Sequence, residues 1–126
     1  MLKQKILMVD DEQDFCYFVK LNLEKSGKYQ VMTAFNGEEG LRLAEENKPD
    51  LILLDIVMQG MDGGEVAWNL INNEATKDIP VIFITALIQP GEGDKVMGKR
   101  NFLAKPVTPE KLMKKIESTL VAREMR

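Results

Sequence analysis

The sequence predicts an α/β fold, a doubly wound five-stranded parallel sheet of order 2-1-3-4-5 with helices on both faces. Three observations predict it. Apolar runs and amphipathic stretches alternate five times along the 126 residues. The runs are short and continuous rather than alternating, as strands buried on both faces require. Four of them end on polar residues: Asp10-Asp11, Asp55, Thr85 and Lys105-Pro106.

The elements follow in order. Strand one covers about Lys5–Val9, and a helix over roughly Glu12–Ser26 carries Phe15, Phe18, Val19 and Leu23 near helical spacing. Strand two, Tyr29–Ala34, is the most polar (Tyr29, Gln30, Thr33) and belongs at an edge. Asn36 with Glu39 three residues on reads as the N-cap of a helix ending near Asn47. Pro49-Asp50 turns into strand three, Leu51–Leu54, and a Gly-rich loop from Gln59 to Gly64 leads to a helix ending near Asn73. Ile79-Pro80 opens the strand that holds Val81-Ile82-Phe83-Ile84. Pro90-Gly91-Glu92-Gly93 interrupts the next segment, so a fourth helix should be short or irregular. Strand five is about Asn101–Ala104. Thr108 caps a last helix with Pro109 at its first position, running to about Ala122. No linker, repeat or low-complexity stretch divides the chain, so a single domain over residues 1–126 is expected.

Composition excludes several classes. The chain is 44% hydrophobic and 29% charged, which suits a folded soluble domain. Its net charge of −3, with no basic patch, argues against nucleic-acid binding. No apolar run approaches the ~20 residues of a membrane span, and the first strand begins too early for a signal peptide. One cysteine, Cys16, agrees with a cytoplasmic location. There is no histidine, which rules out His-based catalysis, His metal ligands and a phosphohistidine within the chain. A metal would need oxygen ligands, which points to a hard cation such as Mg²⁺.

In parallel sheets, ligands bind beyond the carboxyl ends of the strands. That rule gathers Asp10, Asp11, Asp55, Thr85 and Lys105 into one pocket. Crowded carboxylates resist ionising together unless a cation sits among them. Asp11 and Asp55 are the expected direct Mg²⁺ ligands, with Asp10 acting through a water and the Val57 backbone carbonyl as a further ligand. Asp55 can then attack a phosphoryl group as a carboxylate nucleophile, giving an acyl phosphate. Lys105 supplies a compact cation for phosphate, and Thr85 a hydroxyl donor. Each residue alone has an ordinary reading. Asp10-Asp11 would serve as helix cap and first-turn acid, Asp55 as a turn residue, Thr85 as structure, Lys105 as a solvated lysine. Their conjunction favours the chemical reading.

The motifs Val9-Asp10-Asp11, Leu53-Leu54-Asp55, Ile84-Thr85-Ala86 and Phe102-Leu103-Ala104-Lys105-Pro106 resemble those of bacterial two-component response-regulator receiver domains, the CheY-like family. The segment from Asp55 to Gly63 resembles that family's loop, and the likeness covers nearly the whole chain. The resemblance implies a flavodoxin-like, CheY-like three-layer sandwich. It implies that Asp55 accepts phosphate from a sensor histidine kinase or histidine phosphotransfer protein. Thr85 and Phe102 would form the switch, and the fourth helix, fifth strand and fifth helix the surface read by a downstream protein target. A phosphorylation-dependent homodimer and a cis Lys105–Pro106 peptide are also implied.

The chain departs from the family pattern in places. Gln59 stands where the family usually has proline, Phe102 lacks a tyrosine hydroxyl, and the stretch from Thr85 to Lys105 is short. Val57 and Leu87 are expected to flank the phosphate, where apolar side chains would hinder an attacking water. Rival readings are a phospho-independent interaction module on the same fold, a haloacid dehalogenase-type phosphatase and a nucleotide- or flavin-binding domain. The phosphatase reading wants an acid where Val57 stands. The nucleotide reading wants a Gly-rich turn where Asp10-Asp11-Glu12 stands.

Overall fold

The computed structural model describes residues 2–87, 96–97 and 100–125. The elements are β1 (Gln4–Val9), α1 (Gln13–Lys25), β2 (Tyr29–Ala34), α2 (Gly37–Asn47), β3 (Leu51–Leu54), α3 (Gly63–Ile71), β4 (Val81–Thr85), β5 (Val96–Met97), β6 (Arg100–Ala104) and α4 (Pro109–Glu124). Five parallel strands lie in the order β2-β1-β3-β4-β6, which is the predicted 2-1-3-4-5 with β2 at the edge. The sheet differs from the five-stranded expectation by a sixth strand, β5, which pairs antiparallel with β6 at the other edge. Two residues are too few to leave a periodic signal in the sequence. The expected fourth helix around Pro90-Gly91-Glu92-Gly93 lies outside the described residues.

Both faces of the sheet are covered, and the strand sequences say why. Along β1, Ile6 and Met8 point to one apolar layer while Leu7 and Val9 point to the other, and all four are fully buried. The same division separates Leu51 and Leu53 from Ile52 and Leu54 in β3. The first layer is completed by Val19 and Leu23 of α1 and by Leu112, Ile116 and Leu120 of α4. The second is completed by Ala44 of α2 and by Val66, Ala67 and Leu70 of α3. Each large apolar side chain so buried contributes roughly 2 kcal/mol. This two-sided burial is what makes the central strands continuous apolar runs. Among the described residues no helix is long and apolar enough to cross a membrane.

The helix starts are held by side chains. Asn36 Oδ1 accepts from the Glu39 amide at 2.8 Å, and Thr108 Oγ1 from the Lys111 amide at 3.2 Å, both as predicted. Asp62 Oδ1 accepts from the Glu65 amide at 2.9 Å and starts α3 earlier than the glycine pair suggested. Gly63-Gly64 therefore forms the first turn of α3 rather than the end of a loop.

Strand register positions the loops that matter. Val9 pairs with Leu54, so Asp10 and Asp55 leave the sheet side by side. Thr85 pairs with Ala104, so Lys105 follows immediately beyond Thr85. The ladder continues one step further, with the Asp55 amide on the Val9 carbonyl at 3.0 Å and the Lys105 amide on the Thr85 carbonyl at 2.9 Å.

Candidate functional site

At the carboxyl ends of β1 and β3, oxygens of Asp10, Asp11 and Asp55 lie within 4.8 Å of one another. Asp10 is fully buried and Asp55 nearly so, while Asp11 is the least buried of the three. The set is made of oxygen donors only, closely spaced and of like charge, which fits a hard divalent cation such as Mg²⁺. The Val57 carbonyl belongs to the same loop, and its side chain is exposed.

Lys105 enters from the end of β6. Its Nζ donates to Asp10 Oδ2 at 2.8 Å and to Glu12 Oε1 at 2.8 Å, and stands 3.8 Å from Asp55 Oδ2. The ammonium also lies 4.5 Å from the centre of the Phe15 ring, within cation–π range. Asp10 is held twice, since its Oδ1 accepts from the Glu12 amide at 2.9 Å. The Lys105–Pro106 peptide is cis, as the resemblance implied.

These surroundings shift the titrations. Burial, reinforced by the charge of Asp10 and opposed by Lys105, pushes the Asp55 carboxyl up to about 6. Burial also raises Asp10, against the hydrogen bond from Lys105. For Lys105 burial pulls downward, but the hydrogen bonds to Asp10 and Glu12 leave it above its ordinary value. A carboxylate raised in this way is one that a bound cation returns to its ionised form. The Cys16 thiol, buried and near Asp10, is pushed up to about 12 and is inert at neutral pH.

Thr85 is fully buried at the end of β4, and its Oγ1 accepts from the Leu87 amide at 3.2 Å. Phe102 stacks on Phe83 with ring centres 5.1 Å apart, on the face of the sheet that carries α2 and α3. The structure thus brings Asp10, Asp11, Asp55 and Lys105 into one cluster, with Thr85 beside the lysine's backbone and Phe102 one layer below. Val57 and Leu87 are 58% and 67% exposed.

Three contributions escaped the sequence reading. Glu12 does stand at the start of α1, as its N-cap, but its carboxylate also takes a hydrogen bond from Lys105. Gly63 packs so tightly on the Asp55–Ile56 peptide that a Cβ there would collide with the Asp55 carbonyl and come within 2.7 Å of Ile56 Cα. Its amide donates to the Ile56 carbonyl at 2.8 Å and anchors the loop after Asp55. The Gln59 amide donates to Asp11 Oδ2 at 3.1 Å, a bond that a proline at this position could not make. The departure at Gln59 was visible in the sequence; its partner was not.

Residues 6–117 match the response regulator receiver domain family. Protein PilH of Pseudomonas aeruginosa is 43% identical over 92% of this chain and 97% of its own length. The alkaline phosphatase synthesis transcriptional regulatory protein PhoP of Bacillus subtilis is 37% identical over 94% of this chain, which spans 49% of that protein. Among solved structures, chemotaxis protein CheY4 of Vibrio cholerae superposes with a TM-score of 0.81 at 30% identity, over 93% of this chain and 98% of that one.

Proposed function

The chain belongs to the response regulator receiver domain family of two-component signalling, and we propose that residues 1–126 act there as one phosphoacceptor domain that takes its phosphoryl group on Asp55. The observation that carries this reading is the convergence of Asp55 with Asp10, Asp11 and the Lys105 ammonium at the strand ends. An Asp55 carboxylate oxygen attacks phosphorus and forms the new O–P bond. The bond from phosphorus to the histidine nitrogen of a sensor kinase or phosphotransfer protein breaks, and that nitrogen keeps the electron pair. Lys105 offers its cation to the phosphoryl oxygens, and Thr85 a hydroxyl. Asp11, Asp55 and the Val57 carbonyl would hold Mg²⁺, with Asp10 acting through a bound water, and the ion would supply the remaining charge neutralisation.

The acyl phosphate brings about −1.5 to −2 charges to a site beside Thr85. That charge biases a two-state element in which Thr85 and Phe102 rearrange. The readout is the surface built on β6 and α4, met by a downstream protein or a second copy of the domain. The domain is a signalling component rather than an enzyme with an external substrate. It catalyses its own phosphorylation from small donors and its own slow dephosphorylation. It works in the cytoplasm beside its kinase, and neither nucleic acid nor membrane is a direct partner.

Intact-mass spectrometry after incubation with acetyl phosphate, with and without Mg²⁺, tests this directly. A Mg²⁺-dependent phosphoryl adduct that is lost in Asp55→Asn is expected. A folded parent protein that takes no adduct overturns the reading and leaves a phospho-independent interaction module.

A further inference from the structure

We infer that Glu12 is a positioning residue for Lys105: it holds the ammonium on the α1 side of the pocket, and it gives way when the ammonium moves toward a phosphoryl group on Asp55. The inference rests on the phosphoacceptor reading of Asp55. An ammonium has three N–H donors. Two of them reach Asp10 and Glu12 at 2.8 Å each. Asp55 Oδ2, at 3.8 Å, is beyond a hydrogen bond. The third N–H is engaged by neither carboxylate, but the two short bonds hold Nζ in place, so its approach to a phosphoryl oxygen on Asp55 lengthens one of them.

Burial decides which partner gives way. The Asp10 side chain is completely buried, and giving up the lysine would strand its charge away from water. The Glu12 side chain is 66% exposed and returns to solvent at little cost. Glu12 also has no competing duty in its own helix. It stands at the N-cap of α1, yet its side chain makes no capping hydrogen bond. Its amide is satisfied instead by Asp10 Oδ1. The Phe15 ring on the next turn supports the ammonium from below. Asp10 and Phe15 thus fix the base of the lysine's position, and Glu12 is the arm that opens.

The test measures the rate of labelling by sub-saturating acetyl phosphate with Mg²⁺ on the full chain, in the parent, Glu12→Gln, Lys105→Met and the double variant. Glu12→Gln is expected to label faster by about two- to five-fold, the range set by a weak exposed ion pair. The gain should vanish in the Lys105→Met background. Labelling at or below the parent's rate overturns the inference. So does an equal gain without Lys105, which would mean that Glu12 acts through pocket charge alone. The Lys105 Nζ resonance, followed by NMR, gives a second readout independent of phosphorylation. It should move, and its protons exchange faster, in Glu12→Gln; an unmoved resonance overturns the inference. If no variant labels, the phosphoacceptor reading fails, and the resonance alone decides the role of Glu12.

Discussion

Asp10 and Lys105 are 95 positions apart in the chain and are joined by a 2.8 Å hydrogen bond. The carboxylate is fully buried and the lysine side chain is 13% exposed, so water screens neither well. Removing the cation strands the anion, at a cost of about 3 kcal/mol for a buried pair. Lys105→Met should therefore unfold at lower urea concentration at pH 7. Adding Asp10→Asn should recover most of the loss, because the stranded charge is then gone. Equal stability of Lys105→Met and parent would show that Asp10 is solvated well enough without its partner.

Asp55 sets a pH dependence of the opposite sign to that of an ordinary salt-bridged carboxylate. Its pKa is about 6 in the folded protein against an ordinary 3.8. Between those values the folded form holds a proton that the unfolded chain has released. Its contribution to stability is fully present below the ordinary value and is lost as pH rises through about 6. Asp55→Asn should match the parent near pH 4 and exceed it at pH 7 by on the order of 2 kcal/mol. Mg²⁺ binds the ionised form, so the rise in melting temperature it brings should grow between pH 5 and 7. Thermal melts with and without chelator measure both effects.

Gly63 has no room for a methyl group, since a Cβ would strike the backbone of Asp55 and Ile56. Gly63→Ala should destabilise the domain by about 2 kcal/mol through forced backbone movement. The same movement displaces the loop after Asp55, so labelling by acetyl phosphate should fall as well. Gly64→Ala is the internal control, because a Cβ there meets only Asp62 Oδ1 at 3.3 Å.

Val57 and Leu87 present exposed apolar side chains in the two loops that frame Asp55 and Thr85. A polar side chain at Val57 would admit and orient water. Val57→Asn should speed hydrolysis of the Asp55 phosphate by about three-fold, a barrier change under ~1 kcal/mol. Decay of the intact-mass adduct after removal of donor gives the rate. Hydrolysis as slow as the parent's would end the shielding idea.

The strand boundaries, sheet order and caps at Asn36 and Thr108 were legible because each has a local cause. Two-sided burial writes a continuous apolar run, and a cap needs a short polar side chain just before a helix. The gathering of Asp10, Asp11, Asp55 and Lys105 was legible too, because one topological rule sends every parallel strand's carboxyl end to the same side. β5 was not, since two residues carry no pattern. The start of α3 was misread because Gly63-Gly64 looks like a loop by itself, and only its contact with the Asp55–Ile56 peptide explains a glycine in a first helical turn.

By itself, then, the sequence determined the doubly wound sheet and the identities of the groups at its carboxyl edge. Tertiary structure alone decided how those groups are shared. It gave Lys105 to Asp10 and Glu12 rather than to Asp55, tied Asp11 to the Gln59 amide, and raised the Asp55 carboxyl to about 6. The physical reason is that periodicity and register are properties of a strand, whereas hydrogen-bond partners and desolvation depend on distances of a few tenths of an ångström between loops far apart in the chain.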